Sequence, residues 1–128
     1  MSVKAFWKMR YQVDVRARQF RVLTDEPTDF SGDDTGMMPT ELFLASLASC
    51  FCMALIYAAG KRRIEVEDME VEVEGEKDTK NFLFTKIVVK VISTVPTRTL
   101  EGLIDEAKKY CFVSRTIMNP CPIEYVIA

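Results

Sequence analysis

The amino-acid sequence predicts an α+β fold, in which antiparallel hairpins form a sheet and the helices gather on one face of it. Segments near the start and in the middle of the chain alternate between apolar and polar residues with period two, which is typical of strands. Between them lies a stretch of helical length, residues 42–59, that is almost wholly apolar or small. A later segment repeats apolar residues at spacings of three and four, as an amphipathic helix does. We expect these elements to form a single domain, residues 1–128.

The strands at the start of the chain are predicted from loose alternation over residues 6–15 and 19–24. The tripeptide Arg16-Ala17-Arg18 lies between these segments and has the position of a hairpin tip. Residues 25–38 are polar and contain proline and glycine, so they predict a loop that leads into the central helix.

The central helix is predicted to begin at Pro39, because proline favours the first helical position, and to end at Gly60. Its apolar part is long enough to cross a bilayer. The sequences on both sides of it, however, alternate like strands that need a soluble core. We therefore expect a long buried core helix and no contact with a membrane.

A helix that is apolar on every side has to be covered on every side. One sheet in a chain of 128 residues covers only one face of such a helix well. A second copy of the chain is the simplest cover for the other face. We therefore expect a homodimer built around the central helix.

The second half of the chain predicts a long hairpin. Residues 64–66 and 69–74 alternate with period two, and the change of parity between them predicts a turn or bulge at Glu67-Asp68. The returning strand covers residues 82–92. Four of its apolar side chains are predicted to share one face: Leu83, Ile87, Val89 and Val91.

A second helix and a last strand are predicted after this hairpin. Pro96-Thr97 opens the helix, which is expected to reach Cys111 and to continue, with or without a break, to Ile117. Residues 123–127, with the sequence IEYVI, predict the last strand.

Composition and charge exclude several classes of function. The net charge of −2 argues against a nucleic-acid surface, because phosphate binding depends on clustered Lys and Arg. The basic cluster Lys61-Arg62-Arg63 directly follows the apolar helix, where cations stabilise the negative helix end. The chain has no histidine, so it can build neither a Ser-His-Asp triad nor a His-ligated zinc site.

The N-terminal residues lack the apolar core of a signal peptide, so we expect a cytoplasmic protein. In that reducing compartment the four cysteines are not expected to form a structural disulfide framework. Cys50 and Cys52 are two positions apart, which places their thiols on nearly opposite sides of a helix. No C-x-x-C pair occurs, so we expect neither a metal site nor another cofactor. Cys52 has the pattern of an inert core thiol, and the role of Cys121 stays open.

Two segments resemble the signature regions of the OsmC/Ohr family: PTELFLASLASC, which ends at Cys50, and KKYCFVS, which surrounds Cys111. The order of the predicted elements resembles that family over nearly the whole chain. The resemblance implies an intertwined homodimer of α+β subunits, and several family members are thiol peroxidases that act on organic hydroperoxides. It identifies Cys50 as the peroxidatic cysteine, Cys111 as the resolving cysteine and an external dithiol as the reductant.

The resemblance also implies a charged site. In the family's peroxidases an arginine near the N-terminus lies beside the reactive thiolate, and a glutamate at the start of the central helix holds that arginine. The alignment of the first strands places Arg10 nearest to this arginine, with Arg16 and Arg18 as competitors. Thr40 occupies the glutamate position, and Glu41 follows it by one place.

Three details affect the predicted chemistry. Glu41 and Cys50 lie about 13 Å apart along one straight helix at a rise of 1.5 Å per residue, so a part for Glu41 requires the dimer partner or a kink. Phe112 follows Cys111, where the family often has proline. Cys111 is predicted near a helix C-terminus, whose negative dipole end makes it the poorer first nucleophile, whereas Cys50 needs a nearby cation.

The resemblance thus implies a thiol-dependent redox protein that reduces organic hydroperoxides. Several apolar side chains near the cysteines are candidates for the lining of a peroxide pocket: Phe43, Phe51, Met53 and Phe112. The alternative function on the same fold is the binding of a small, lipid-like ligand, with the cysteines as core thiols. The reaction of the protein's thiols with a hydroperoxide distinguishes the two functions.

Overall fold

The computed structural model describes residues 1–128, which divide into two compact units, residues 1–43 and residues 44–128. Three helices and two antiparallel sheets confirm the predicted α+β class. The elements in chain order are β1 (Lys4–Met9), β2 (Gln12–Ala17), β3 (Phe20–Thr24), α1 (Pro39–Lys61), β4 (Glu70–Asp78), β5 (Leu83–Ile92), α2 (Thr97–Ala107) and α3 (Phe112–Met118).

The first unit contains an antiparallel sheet in the order β1-β2-β3. Residues 6–15, predicted as one strand, are two strands, because the chain turns at Arg10 and Tyr11. Arg10 has a φ of 49°, and its carbonyl oxygen accepts a hydrogen bond of 2.9 Å from the indole nitrogen of Trp7. A non-glycine residue in this left-handed region is uncommon, so nothing in the alternating pattern indicated a turn at this position.

The β2-β3 hairpin turns at Arg18 and Gln19, slightly later than the predicted tip. Asp14 in β2 is buried, and its carboxylate lies 2.6 Å from Nη2 of Arg16 and 3.2 Å from Nε of Arg21. The hydrogen bond from Arg16 holds the pKa of the Asp14 carboxyl below its usual value, against the opposing effect of burial. Because Arg16 and Arg21 face each other across the hairpin, Asp14 joins β2 to β3.

A buried carboxylate organises the loop before α1. Asp25 is 1 % exposed and accepts hydrogen bonds from the backbone N–H groups of Glu26, Asp33 and Thr35 and from the Thr35 hydroxyl. The hydroxyl bond is the shortest, at 2.7 Å. The loop folds so closely that a Cβ at Gly32 would lie 1.8 Å from the carbonyl oxygen of Glu26, which requires glycine there.

The second unit contains the antiparallel hairpin β4-β5. The register shifts between Glu76 and Lys77, so Thr85 has no residue opposite it, although its hydroxyl donates a hydrogen bond to the carbonyl oxygen of Glu76. This bulge moves the inward face of β5 by one position, so Phe84 is half-buried and Leu83 is 52 % exposed. The prediction that Leu83 shares the inward face was wrong. Three other side chains of that prediction do pack against the core: Ile87, Val89 and Val91.

Two predicted strand segments have no strand pairing. Residues 64–66 lead into β4 as an irregular segment, with a bend at Glu67 where the turn was predicted. Asp68 anchors this segment, because its carboxylate accepts hydrogen bonds from the backbone N–H and the hydroxyl of Thr94 at 2.9 and 2.7 Å. Residues 123–127, predicted as the last strand, are irregular because no strand of this chain pairs with them.

The core of the second unit forms around one stripe of α1. The core cluster consists of Leu47, Phe51, Ala54, Leu55, Ala58, Ala59, Leu103, Ala107 and Cys111. The opposite face of α1 is apolar and yet open within the chain, with Met53 69 %, Ile56 47 % and Tyr57 55 % exposed. The chain therefore covers only one side of its central helix.

By length and composition α1 meets the criteria for a membrane span, with a mean hydropathy of 2.1 over its apolar window. The core helix of a protein that never enters a membrane meets the same criteria. One such helix, one third buried within the chain, does not indicate a membrane protein.

The end of α1 is held by ion pairs. The helix includes Lys61, one residue beyond the predicted end, and both Lys61 and Arg62 pair with Glu106 at 3.7 and 2.9 Å. Nζ of Lys61 also donates a hydrogen bond of 2.6 Å to the hydroxyl of Tyr110. That bond raises the pKa of Lys61 above its usual value. Lys61 and Arg62 thus link the end of α1 to Glu106 of α2 through side-chain contacts.

We expect Asp25→Asn to lower the melting temperature at pH 7 by several degrees. The hydrogen-bond donors around Asp25 share two carboxylate oxygens, whereas the amide of asparagine offers them only one acceptor oxygen. The Thr35 hydroxyl holds the pKa of Asp25 below its ordinary value of 3.8. The carboxylate therefore contributes stability that is present above that ordinary value and is lost as the pH falls through the lower, folded value. Thermal unfolding is measured from pH 7 to pH 2. As the pH is lowered, the melting temperature of the variant should fall less than that of the wild-type protein.

The matched control is Asp29→Asn, which changes an exposed carboxyl in the same loop. It should unfold like the wild-type protein across this pH range. Equal melting temperatures for Asp25→Asn and the wild-type protein would show that the loop does not depend on this carboxylate.

Candidate functional site

Cys50 lies on α1 at the border between the covered and the open face. Its side chain is half-buried and packs against the core cluster. Ser49 on one side is exposed, whereas Phe51 on the other is 5 % exposed. Cys52 is also half-buried, Cys121 is exposed, and all four thiols are free.

Cys111 is fully buried and belongs to the core cluster itself. The chain leaves α2 at Ala107 and makes turns over residues 108–110 before α3 begins. Cys111 is the N-cap of α3, since its Sγ accepts a hydrogen bond of 3.5 Å from the backbone N–H of Ser114. Its own N–H donates to the carbonyl oxygen of Ala107 at 3.0 Å.

The sequence left open whether the helix continues without a break, and the structure has a break between α2 and α3. The electrostatic argument built on a helix C-terminus was wrong. The sulfur of Cys111 faces the N-terminal amides of α3 rather than the carbonyls of α2. Access to solvent separates the two thiols instead. Cys50 is half-buried, whereas Cys111 is 0 % exposed.

Arg10 is held by the loop of the first unit. Its Nη2 donates a hydrogen bond of 2.7 Å to the carbonyl oxygen of Ser31, and its Nε lies 3.4 Å from the Asp33 carboxylate. More than half of the Arg10 side chain remains exposed. The guanidinium is therefore positioned and also accessible.

The two competing arginines have partners within the same unit. Arg16 pairs with the buried Asp14 and lies over the ring of Phe6, 4.6 Å from its centroid. Arg18 lies over the ring of Phe20 at 5.0 Å. Both side chains thus have structural roles. Arg16 provides an ion pair for the buried carboxylate of Asp14.

Glu41 caps the first turn of α1. Its Oε2 accepts a hydrogen bond of 2.8 Å from the backbone N–H of Met38, just before the helix. This is the glutamate half of a capping box. Thr40, at the position where the family has glutamate, is half-buried.

An apolar cavity of about 620 Å³ opens within the second unit. It is lined by Leu47, Phe51, Ile87, Val89, Val91, Ile104, Lys108, Ser114, Arg115, Ile117, Met118 and Asn119. Neither Cys50 nor Cys111 is among these residues, although Ser114 contacts the sulfur of Cys111.

Only one of the four side chains predicted to line a pocket lines this cavity, namely Phe51. The others are exposed, with Phe43 at 40 %, Met53 at 69 % and Phe112 at 81 %. Lys108 and Arg115 lie at the cavity but were not selected from the sequence. The sequence distinguishes Arg115 in one respect: it is the one charged residue in the segment FVSRTIM.

No group of three or more Cys, Asp or Glu side chains is arranged to hold a metal ion.

The comparisons with known proteins agree with this structure. The family model of OsmC-like proteins matches residues 32–126. Peroxiredoxin OsmC of Escherichia coli (strain K12) is 33 % identical over 113 residues, which span 81 % of this chain and 78 % of that protein.

Two solved structures show the same fold. The OsmC-like protein of Mycoplasma pneumoniae has a TM-score of 0.78 at 19 % identity, with 93 % of this chain and 87 % of that chain covered. The organic hydroperoxide resistance protein OhrB of Bacillus subtilis has a TM-score of 0.65 at 24 % identity, with 93 % and 90 % covered.

The fold and its free thiols define a small α+β cysteine protein. The family match and the identity over most of the chain go further: the chain belongs to the OsmC-like protein family. The resemblance of its two cysteine segments to that family is thereby confirmed.

We expect Cys111→Ala to lower the free energy of unfolding by about 1–2 kcal/mol, because alanine cannot cap α3. Cys111→Ser should retain more of the stability, since a serine oxygen is a preferred acceptor at an N-cap. Urea denaturation of the reduced protein measures both variants. Cys121→Ala changes an exposed thiol, and its free energy of unfolding should lie within about 0.5 kcal/mol of the wild-type value. An equal loss for alanine and serine at position 111 would argue against the capping role.

Proposed function

We propose that this protein is a thiol-dependent redox protein that reduces organic hydroperoxides through Cys50, with Cys111 as the resolving cysteine. The observation that carries the proposal is the unequal burial of two free cysteines around one core cluster. Membership of the OsmC-like family supports it, as does the 33 % identity to a protein named peroxiredoxin. The solved structure of a hydroperoxide resistance protein with the same fold is consistent with it.

In the first step the Cys50 thiolate attacks one oxygen of the hydroperoxide O–O bond. The bond breaks, the other oxygen leaves as an alkoxide and takes a proton to give the alcohol, and Cys50 becomes a sulfenic acid. The two electrons that reduce the peroxide come from the sulfur of Cys50. Of the two cysteines of the proposed pair, Cys50 is assigned the first step because Cys111 has no exposed surface.

In the second step the Cys111 thiolate attacks the sulfur of the Cys50 sulfenic acid. The S–O bond breaks, hydroxide leaves and takes a proton to give water, and a disulfide forms. An external dithiol then reduces this disulfide by thiol–disulfide exchange. The disulfide requires the Cα atoms of Cys50 and Cys111 to come within about 7 Å, and Cys111 gives up its hydrogen bond from Ser114 to form it.

The charged side chains of the site are proposed by analogy with the family's pattern. Arg10 is the favoured partner of the Cys50 thiolate because its guanidinium is positioned and accessible. Arg16 and Arg18 are less favoured, since one satisfies a buried carboxylate and the other packs on an aromatic ring. Glu41 lies nine positions before Cys50 on α1 and takes part, on this proposal, across a dimer.

The dimer itself is supported by the open apolar face of α1, which carries Met53, Ile56 and Tyr57. A contiguous apolar surface of this kind marks an interaction site. We infer that a second copy of the chain covers it. We place the reaction in the cytoplasm, where dithiol reductants are kept reduced.

We expect the reduced protein to lose about two free thiols per chain when it is titrated with cumene hydroperoxide, because each turnover ends in one disulfide. A thiol reagent in denaturant measures the count. Cys50→Ser should lose none, and Cys111→Ser should hold a sulfenic acid on Cys50 that dimedone traps.

Cys121→Ser is the matched control, because it removes an exposed thiol and should leave the loss unchanged. Four thiols that do not react would overturn the redox function and favour the alternative, a protein that binds a lipid-like ligand. A loss that persists in Cys50→Ser would assign the first step to another cysteine.

We expect Ile56→Asp to weaken the dimer by about 10- to 100-fold, because a carboxylate replaces an aliphatic side chain that the partner buries. Sedimentation over a range of concentrations measures the change. Phe82→Asp is the control, since Phe82 lies in the turn of the β4-β5 hairpin and is 93 % exposed. A wild-type protein that sediments as a monomer would contradict the dimer.

A further inference from the structure

We propose that the cavity of the second unit binds an anionic amphiphile with a single acyl chain, namely a medium-chain carboxylate. The site does not use the redox chemistry proposed above, since neither Cys50 nor Cys111 lines the cavity. It is a binding site additional to the thiols rather than a part of the peroxide cycle.

The floor and walls of the cavity suit an acyl chain. β5 contributes the aliphatic side chains of its inward face, and α1 contributes Leu47 and Phe51, which are 3 % and 5 % exposed. Ile104 from α2 and Ile117 from α3 form the walls. These side chains offer no hydrogen bond, so they favour a hydrocarbon chain over a polar ligand. The volume of about 620 Å³ lies within the range of about 300–1,000 Å³ that is usual for small-molecule sites.

The polar residues of the lining carry positive charge and no negative charge. They are Lys108, Ser114, Arg115 and Asn119, and no Asp or Glu lines the cavity. The guanidinium of Arg115 makes no ion pair and no side-chain hydrogen bond within the chain, although its backbone carbonyl accepts from Asn119. Lys108 has an exposed ion pair with Asp105 at 3.6 Å. The guanidinium of Arg115 can therefore bind a carboxylate head group through two parallel hydrogen bonds.

A second copy of the chain is a less suitable occupant. The cavity lies on the covered side of α1, where Leu47 and Phe51 face the chain's own hairpin and helices. The face of α1 that lacks a cover carries Met53, Ile56 and Tyr57, none of which lines the cavity. The face that the proposed second copy covers and the lining of the cavity therefore consist of different residues.

The test titrates the reduced full-length protein with decanoate by isothermal calorimetry, without peroxide. One decanoate per chain is expected, and its Kd should be about 15-fold lower than that of octanoate, because each methylene buried lowers Kd about fourfold. Arg115→Gln should raise the Kd of decanoate by about 5- to 20-fold. Met118→Asp should also raise it, because the new carboxylate repels the ligand at a position that is 78 % exposed.

Arg98→Gln is the matched control, since it removes an exposed arginine in the first turn of α2 that does not line the cavity. It should leave the Kd unchanged. Cys50→Ser should bind decanoate like the wild-type protein, so failure of the redox function and failure of this site are separate results.

Several results would overturn the proposal. One is no binding of decanoate up to its solubility, and another is equal binding of decyltrimethylammonium, which has the same chain and the opposite charge. A third is an Arg115→Gln variant with unchanged affinity. If Met118→Asp dissociates a dimer of a protein that does not bind decanoate, the cavity belongs to the interface between two copies.

Discussion

The structure depends on the need to cover α1, a helix of 23 residues that carries apolar side chains on every face. Removal of apolar surface from water is the main favourable contribution to folding. The inward side chains of β4 and β5 and the buried residues of α2 cover one stripe of this helix. A hairpin of two strands and a helix of 11 residues provide no second layer, so the other face stays open within the chain. The border between the two faces is where Cys50 lies.

The fold was predictable wherever a local pattern decides the structure. The apolar run with Pro39 at its start predicted α1, and period-two alternation predicted most of β4 and β5. The turn at Arg10 and Tyr11 was missed because neither residue is a usual turn former. The bulge at Thr85 and the missing strand at residues 123–127 depend on pairing between strands. A strand pattern describes a surface that fits a sheet, and it does not supply the partner strand.

The two cysteine segments were recognisable from the sequence, but the surroundings of their side chains were not. The segments around Cys50 and Cys111 pointed to the family, and that membership is now shown. Cys111 was predicted near the C-terminal end of a helix, and its sulfur instead caps the N-terminal end of α3. Residues 108–110, Lys-Lys-Tyr, contain no proline or glycine that would mark the end of α2. Arg115 escaped notice because a single cation on a short helix is ordinary until the apolar walls beside it are known. Such a lining brings together residues far apart in sequence, and no local pattern describes it.

The sulfur of Cys111 takes part in the proposed redox chemistry and also caps α3, a helix that lines part of the proposed ligand site. α3 has seven residues, too few to persist without its cap and its packing. In the proposed cycle, the disulfide to Cys50 would draw the sulfur away from the N–H of Ser114. The same helix, α3, carries Arg115 and one wall of the cavity. On the proposed cycle, oxidation therefore loosens the element that holds the carboxylate. Because coupling between two sites is reciprocal, a bound carboxylate stabilises the reduced protein to the same extent.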